Sequence, residues 1–300
     1  MTARDRDVET PSGKGAGDEN FPVGSLLLPA ALRPHVAVFY RFARAIDDIA
    51  DNPDLAPEDK IARLDRFEAA LLDTDDRAPA LATAHRIRDS LRETGVTPRH
   101  CQDLIAAFRQ DAVKLRYDDW EDLLGYCRLS ANPVGRYLLD LHGEDPAGYP
   151  ASDALCSALQ VLNHLQDCQE DHAQLDRVYL PGDWLAEEGL TVEVLRQSEA
   201  PAAFRAVLDR CLDGVDRLLR GAEALPDRLA SARLAMESAV ILRLAQRLTR
   251  LLRQGDPLAG RVALGKADFV SCGLRGILAV QWQRRFGSRQ PRPDLIAKEP

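Results

Sequence analysis

The sequence lacks the long apolar run that a membrane span needs and the cysteine spacing of a zinc or disulfide-rich protein. No stretch reaches the ~18 uninterrupted apolar residues of a transmembrane helix, and the N-terminus has no apolar signal region. The six cysteines form no CxxC pair, which disfavours a zinc knuckle and a disulfide framework. We therefore expect a soluble, cytoplasmic protein that touches a membrane peripherally, if at all.

An excess of basic residues is also absent, since the 300-residue chain carries a formal net charge of -8. This balance disfavours general affinity for nucleic acid or an anionic membrane, because both need clustered Lys and Arg. The sequence contains no P-loop, no GxSxG elbow and no GxGxxG turn after a strand. An anionic ligand would therefore need a metal ion as intermediary.

Alternating runs of Val, Ile and Thr are almost absent, and their absence disfavours a β-sheet fold. Apolar positions recur instead at three- and four-residue intervals, and Ala, Leu and Arg dominate, as is typical of helices. We expect an all-α chain of about ten helices joined by short loops. Pro34 is expected to open one helix and Asn52-Pro53 to close it.

The polar ends of the chain, residues 1–18 and 289–300, are expected to be tails on a single domain that spans residues 19–288. Within this domain, residues 266–284 form the most apolar late segment. We interpret it as a buried terminal helix, and membrane contact is the alternative.

A polar stripe is predicted on the first helix. Its members are spaced four, three and four residues apart and comprise Tyr40, Arg44, Asp47 and Asp51. Two carboxylates four residues apart repel each other, and a divalent cation would neutralise both. The alternative is that Asp47 pairs with Arg44 while Asp51 only ends the helix. Asp48 is turned about 100° away and either meets another partner or faces solvent.

A second stripe, spaced three, four and four residues apart, comprises Gln160, Asn163, Asp167 and Asp171. Apolar residues cover most of the remaining helix surface, so the helix is expected to be buried, and buried acids need a partner. Amide and carboxylate oxygens are the ligands that Mg²⁺ prefers. If the two stripes face each other, they form a magnesium site; the alternative is two solvated faces.

The same helix carries a possible zinc set, formed by His164, Cys168 and His172 at four-residue intervals. The outer two would lie about 12 Å apart along the helix axis, so one helix cannot wrap a tetrahedral ion with them. Packing and solvent exposure explain these residues better.

The order of these motifs, followed by Arg177-Val178-Tyr179-Leu180-Pro181, resembles the squalene and phytoene synthase family over about residues 20–182. Three segments look like its bacterial hydroxysqualene synthase branch, which serves hopanoid biosynthesis. They read ENFPVGSLLLP, YCRLSANPVGR and NHLQDCQEDHAQLDRVYLP.

The resemblance implies an isoprenoid synthase fold with both aspartate motifs near the mouth of a central cavity. It implies that magnesium ions bind the substrate diphosphate through Asp47, Asp51, Asn163, Asp167 and Asp171. It further implies that the diphosphate and substrate pocket is lined by Tyr40, Arg44 and Gln160, with Asp111 and Tyr179 at further motif positions. Arg44 would help magnesium to withdraw the diphosphate.

The chain departs from many relatives at Gln166, where they carry an arginine, and at Asp18-Glu19-Asn20, where some carry Ser and Lys. Both departures favour ionisation of one preformed diphosphate over condensation of two. The implied reaction converts presqualene diphosphate and water to hydroxysqualene. The alternatives are a presqualene diphosphate or phytoene synthase, a squalene synthase that uses NADPH, and a non-catalytic lipid-binding relative.

Overall fold

The computed structural model describes residues 27–72 and 81–286, and within these ranges the chain forms twelve α-helices. In chain order they are α1 Arg33–Asp51, α2 Pro57–Leu71, α3 Ala82–Thr94, α4 Arg99–Asp111, α5 Trp120–Ser130, α6 Asn132–Leu141, α7 Tyr149–Leu175, α8 Gly182–Glu187, α9 Ala202–Ala222, α10 Leu225–Arg228, α11 Ala232–Gln254 and α12 Lys266–Phe286. The predicted all-α class is confirmed. The expected tails, residues 1–18 and 289–300, lie outside the described residues.

The ends of α1 follow from its prolines. Pro34 occupies the first turn, where a backbone N–H would lack a helical partner in any case. Asn52 leaves the helical conformation with a ψ of 116°, since Pro53 disfavours that conformation in the residue before it. One side of the helix is fully buried through Phe42, Ile46 and Ile49. The polar stripe therefore lies beside the core.

The long helix α7 forms the centre of the molecule and packs against α5, α6, α9 and α11. Its apolar residues Val161 and Leu162 are fully buried in the main core cluster. On the other side of the core, α1 packs against α2, α3 and α4. The six cysteines are all free, and five of them are buried, so they contribute to packing rather than to cross-links.

Two short strands pair in parallel, β1 Arg116–Tyr117 and β2 Val178–Pro181. β2 begins just after α7, where Asp176 adopts a left-handed conformation with a φ of 51°. Arg116 stabilises this turn, because its guanidinium lies 2.5 Å from Asp176 Oδ1. The turn directs Arg177 and Tyr179 back toward the C-terminal part of α1 and the interior.

The expectation of a buried terminal helix at residues 266–284 is wrong. α12 buries only Cys272, Gly276 and Val280, and it packs on α11 so closely that a Cβ at Gly276 would lie 2.9 Å from Val240. Within residues 27–72 and 81–286 no other element covers its opposite side, where Leu274, Leu278 and Trp282 are exposed. The described helices include none that is long and apolar enough to cross a membrane.

Candidate active site

A cavity of about 510 Å³ lies between α1, α7 and the helices around them. The N-terminal halves of α1 and α7 contribute apolar side chains to it, including Phe39 and Leu159. The C-terminal parts contribute the acids. All nine residues that the sequence predicted for the site line this cavity, namely Tyr40, Arg44, Asp47, Asp51, Gln160, Asn163, Asp167, Asp171 and Tyr179.

The acidic ends of α1 and α7 lie at the same end of the cavity, and Arg177 shows this directly. It follows the last turn of α7, yet its Nη1 lies 2.5 Å from Asp51 Oδ1, and its Nη2 donates to Ala50 O at 2.9 Å. Burial opposes the charge on this arginine, but the carboxylates of Asp51 and Asp111 hold its pKa above the ordinary value. Sequence reasoning gave Arg177 no role, since this contact is tertiary.

On α1, Arg44 lies between two carboxylates, 2.7 Å from Asp47 and 2.9 Å from Asp48. The pair between Asp47 and Arg44, which the alternative interpretation of the stripe expected, is therefore present. Burial, together with the neighbouring charge of Asp51, nevertheless raises the pKa of Asp47 well above its ordinary value, although 25% of its side chain is exposed. Asp48 is not among the residues that line the cavity. Arg44 alone thus leaves an excess of negative charge.

On α7, Asp167 meets an arginine from the loop between α11 and α12. Its Oδ1 is buried and accepts no hydrogen bond, and it lies 3.0 Å from Arg261 Nε. Burial raises the pKa of Asp167, while Arg261 opposes the rise. The carboxylate of Asp171 lies 3.8 Å from His164 Nδ1. Each of the four acids therefore has a cationic or ionisable neighbour from its own helix or from a distant segment.

The loop that carries Arg261 also explains Gln166. This side chain is buried and donates to Val262 O at 2.6 Å, and it is not among the residues that line the cavity. Gln166 thus holds the loop, and Arg261 brings a positive charge to the second aspartate motif. Nothing in the local sequence indicates this, because Arg261 lies 94 residues beyond Asp167.

A buried aromatic cluster adjoins the acids. Asp111 accepts hydrogen bonds from Tyr126 at 2.6 Å and from Tyr179 at 3.2 Å, and burial raises its pKa to about 6. His164 stacks on Tyr179 with ring centroids 3.5 Å apart, so the expected packing role of His164 is present at the cavity wall. Cys168 and His172, the other members of the rejected zinc set, are buried and do not line the cavity.

The donor set fits magnesium that arrives with a diphosphate. Among residues 27–72 and 81–286, no three His, Cys, Asp or Glu side chains converge closely enough to hold a metal ion by themselves. Mg²⁺ is commonly bound by one or two carboxylates together with substrate phosphates and water, rather than by an all-protein cage. The excess negative charge at Asp47 and the buried Asp167 Oδ1, which forms an ion pair with Arg261 but accepts no hydrogen bond, are the features such ions would satisfy.

Comparisons with known proteins agree with this geometry. The family model described as squalene/phytoene synthase matches residues 15–268. A hydroxysqualene synthase of Rhodopseudomonas palustris is 43% identical over 93% of this chain and 94% of its own, and one of Sinorhizobium fredii is 40% identical over 90% and 91%. The crystal structure of squalene synthase HpnC from Alicyclobacillus acidocaldarius superposes with a TM-score of 0.69 at 33% identity, covering 77% of this chain and 87% of that one.

Proposed function

Because the chain belongs to the squalene/phytoene synthase family and is thus an isoprenoid synthase, we propose that it is a magnesium-dependent hydroxysqualene synthase of hopanoid biosynthesis. Its substrate would be presqualene diphosphate, and its products would be hydroxysqualene and diphosphate. The observation that carries the proposal is the meeting of two carboxylate stripes at one end of an apolar cavity. The names of the two relatives at 40% and 43% identity support the choice of reaction.

Two sets of oxygen ligands would hold the magnesium ions. Asp47 and Asp51 supply one set from α1, and the other comes from α7 through Asn163, Asp167 and Asp171. Bound there, magnesium supplies electrostatic stabilisation of the departing diphosphate.

The arginines of the site would bind the diphosphate oxygens. Arg44, Arg177 and Arg261 all contact a carboxylate of the two aspartate stripes, so their positive charges already lie at the acidic end of the cavity. Guanidinium groups match diphosphate oxygens with paired N–H donors. Tyr40 and Gln160 line the same cavity and can orient the substrate by further hydrogen bonds.

The apolar wall would protect the carbocation once the bond between carbon and the diphosphate oxygen breaks. Phe39, Leu155 and Leu159 line this part of the cavity and offer no nucleophile. One admitted water then adds its oxygen to the cation, and its proton passes to the released diphosphate or to solvent. Access of water therefore decides between an alcohol and a hydrocarbon product.

The proposal is tested by incubating the chain and magnesium with presqualene diphosphate or with farnesyl diphosphate, and by analysing the products by mass spectrometry. Hydroxysqualene is expected from presqualene diphosphate, with one ¹⁸O atom when the reaction runs in H₂¹⁸O. Product from farnesyl diphosphate alone would contradict the proposal and favour a head-to-head prenyltransferase. Absence of turnover with either substrate would favour a non-catalytic lipid-binding role.

A further inference from the structure

The outer face of α12 concentrates exposed apolar side chains. Within residues 27–72 and 81–286, ten large apolar side chains are exposed, and six of them belong to this one helix. We define the outer face by five of these six, Val270, Leu274, Leu278, Trp282 and Phe286, because Phe269 lies on the side of the helix that carries Cys272 and Gly276. A concentration of this kind marks a surface that binds something, whereas single exposed apolar residues need no explanation.

Helix geometry makes the outer face continuous. Val270, Leu274, Leu278, Trp282 and Phe286 follow one another at four-residue intervals. Each step turns the helix by about 40°, so the five cover an arc of about 160° along about 24 Å of helix. The opposite side packs on α11 through Cys272 and Gly276. The arc is thus one ridge rather than scattered residues.

This ridge is basic, although the whole chain is acidic. At 100° per residue, Arg275 and Arg285 fall within the apolar arc, and Arg243 of α11 meets them in a shallow depression beside Trp282. The one acid of α12, Asp268, is held by Arg247 at 2.7 Å. The outer face therefore presents arginines among apolar side chains, on a chain whose formal net charge is -8.

The positive charge of the outer face distinguishes between the partners that could bind there. A second copy using the same face about a two-fold axis would place arginines against arginines, and their repulsion opposes that contact. A helix lying on a lipid surface instead combines apolar and aromatic side chains at the acyl boundary with arginines among the phosphates. We propose that the outer face of α12 binds the surface of an anionic lipid bilayer, with Arg275 and Arg285 at the lipid phosphates.

The position of α12 would bring the bilayer close to the cavity. α11 lies between them, since Leu234 and Ile241 of α11 line the cavity while Val240 and Leu244 belong to the cluster that includes Cys272 of α12. Docking would thus hold the cavity one helix away from a hydrocarbon phase. Delivery of a hydrocarbon substrate or product by this route rests on the proposed function, whereas the docking itself does not.

Binding is measured by flotation of the full chain with vesicles of phosphatidylcholine, with or without phosphatidylglycerol, in the absence of substrate. We expect binding to the anionic vesicles that weakens as salt is added. Trp282 is 68% exposed, whereas Trp120 and Trp184 stack on each other. We therefore expect the tryptophan fluorescence emission to shift to shorter wavelength when the chain binds vesicles, and W282F should abolish this shift.

Two variants separate the contributions. R275Q/R285Q should lower the partition coefficient on anionic vesicles about 30-fold, since each arginine near such a surface contributes a factor of roughly five. L274S/L278S should weaken binding to every vesicle. The matched control is V113S, because Val113 lies outside α12 and is 62% exposed, as is Val270. V113S should bind as the parent chain does.

Equal binding to neutral and anionic vesicles, or no effect of R275Q/R285Q, would overturn the proposal. Failure of the chain to float with any vesicle would also overturn the proposal. If the chain is then found to be a dimer in solution that L274S/L278S dissociates, the outer face binds a second copy instead. Turnover of presqualene diphosphate in detergent is measured on the same samples. If the parent chain binds vesicles but does not turn over presqualene diphosphate, only the proposed function is contradicted. If it turns over presqualene diphosphate but does not bind vesicles, only the docking is contradicted.

Discussion

The carboxylate of Asp47 is kept in the folded protein at an energetic cost. Because its folded-state pKa is raised, the ionised form destabilises the fold, and this cost grows as pH rises through that pKa. D47N removes the charge with little change of shape. We expect it to raise the melting temperature at neutral pH without magnesium and to lower turnover by ~10²-fold or more.

Calorimetry and steady-state assays at several magnesium concentrations test D47N. D48N is the matched control, because Asp48 contacts the same arginine but is not among the residues that line the cavity. If D47N keeps full turnover, the magnesium role of Asp47 is wrong.

Asp111 predicts a pH dependence of stability. Its folded-state pKa of about 6 lies above the ordinary carboxyl value of 3.8, so the folded state binds the proton more tightly than the unfolded state does. Stability from this group is therefore present below the ordinary pKa and is lost as pH rises to about 6. D111N should remove this loss, so its melting temperature relative to the parent should increase from pH 4 to pH 6 and level off above. A difference that stays constant over that range would contradict this explanation.

Arg177 compensates the negative charge of Asp51 and Asp111. R177Q leaves Asp51 and Asp111 without this guanidinium, and since the side chain of Asp51 is 37% exposed, solvent screening reduces the expected loss to about 1–2 kcal/mol. We expect a lower free energy of unfolding in urea, and partial recovery in R177Q/D51N because one uncompensated charge is gone. Additive losses in the double variant would show that the two side chains act independently.

Local spacing predicted that the members of each stripe share one face of a helix, and tertiary contacts determined their partners. Asp47 and Asp51, like Asp167 and Asp171, are one helical turn apart, so their shared face follows from the helix alone. Arg261 could not be predicted in this way, since the fold of a loop 94 residues further along the chain brings it to Asp167.

At the level of the elements, the contact between α6 and α7 depends on a glycine. A Cβ at Gly135 would lie 2.6 Å from Cys156 Sγ, and this glycine also lines the cavity. We expect G135A to separate the two helices and to lower the free energy of unfolding by about 1–3 kcal/mol. G273A is the control in α12, where a Cβ meets nothing within 4 Å, so it should be neutral or slightly stabilising in the same urea titration.

The terminal helix shows where an apolar pattern misleads. Cys272, Gly276 and Val280 form one small or apolar row on α12, and Val270, Leu274 and Leu278 belong to another on the opposite side. A helix that is apolar on both sides is usually buried. The sequence shows that both sides of this helix are apolar, but it does not show whether another element covers each side. In the structure α11 covers only one of them.

Across the whole molecule, net charge proved a poor guide to local charge. The formal value of -8 predicts no general attraction to polyanions, yet arginines from four separate segments lie at the acidic stripes and on the outer face of α12. Arg44, Arg177 and Arg261 lie at the acidic stripes, and Arg275 lies on the outer face of α12. Helix content, in contrast, followed directly from composition, because propensity and apolar periodicity agree along the chain.

The contact between Arg177 and α1 also dictates an order of events during synthesis. Arg177 Nη2 reaches a backbone carbonyl 127 residues earlier in the chain. The ribosome must therefore release more than half of the polypeptide before the end of α1 finds this partner, and until then Asp51 of the nascent helix lacks the guanidinium that compensates it. Translation pauses placed before residue 177 would prolong that interval and expose the half-made chain to chaperones and proteases.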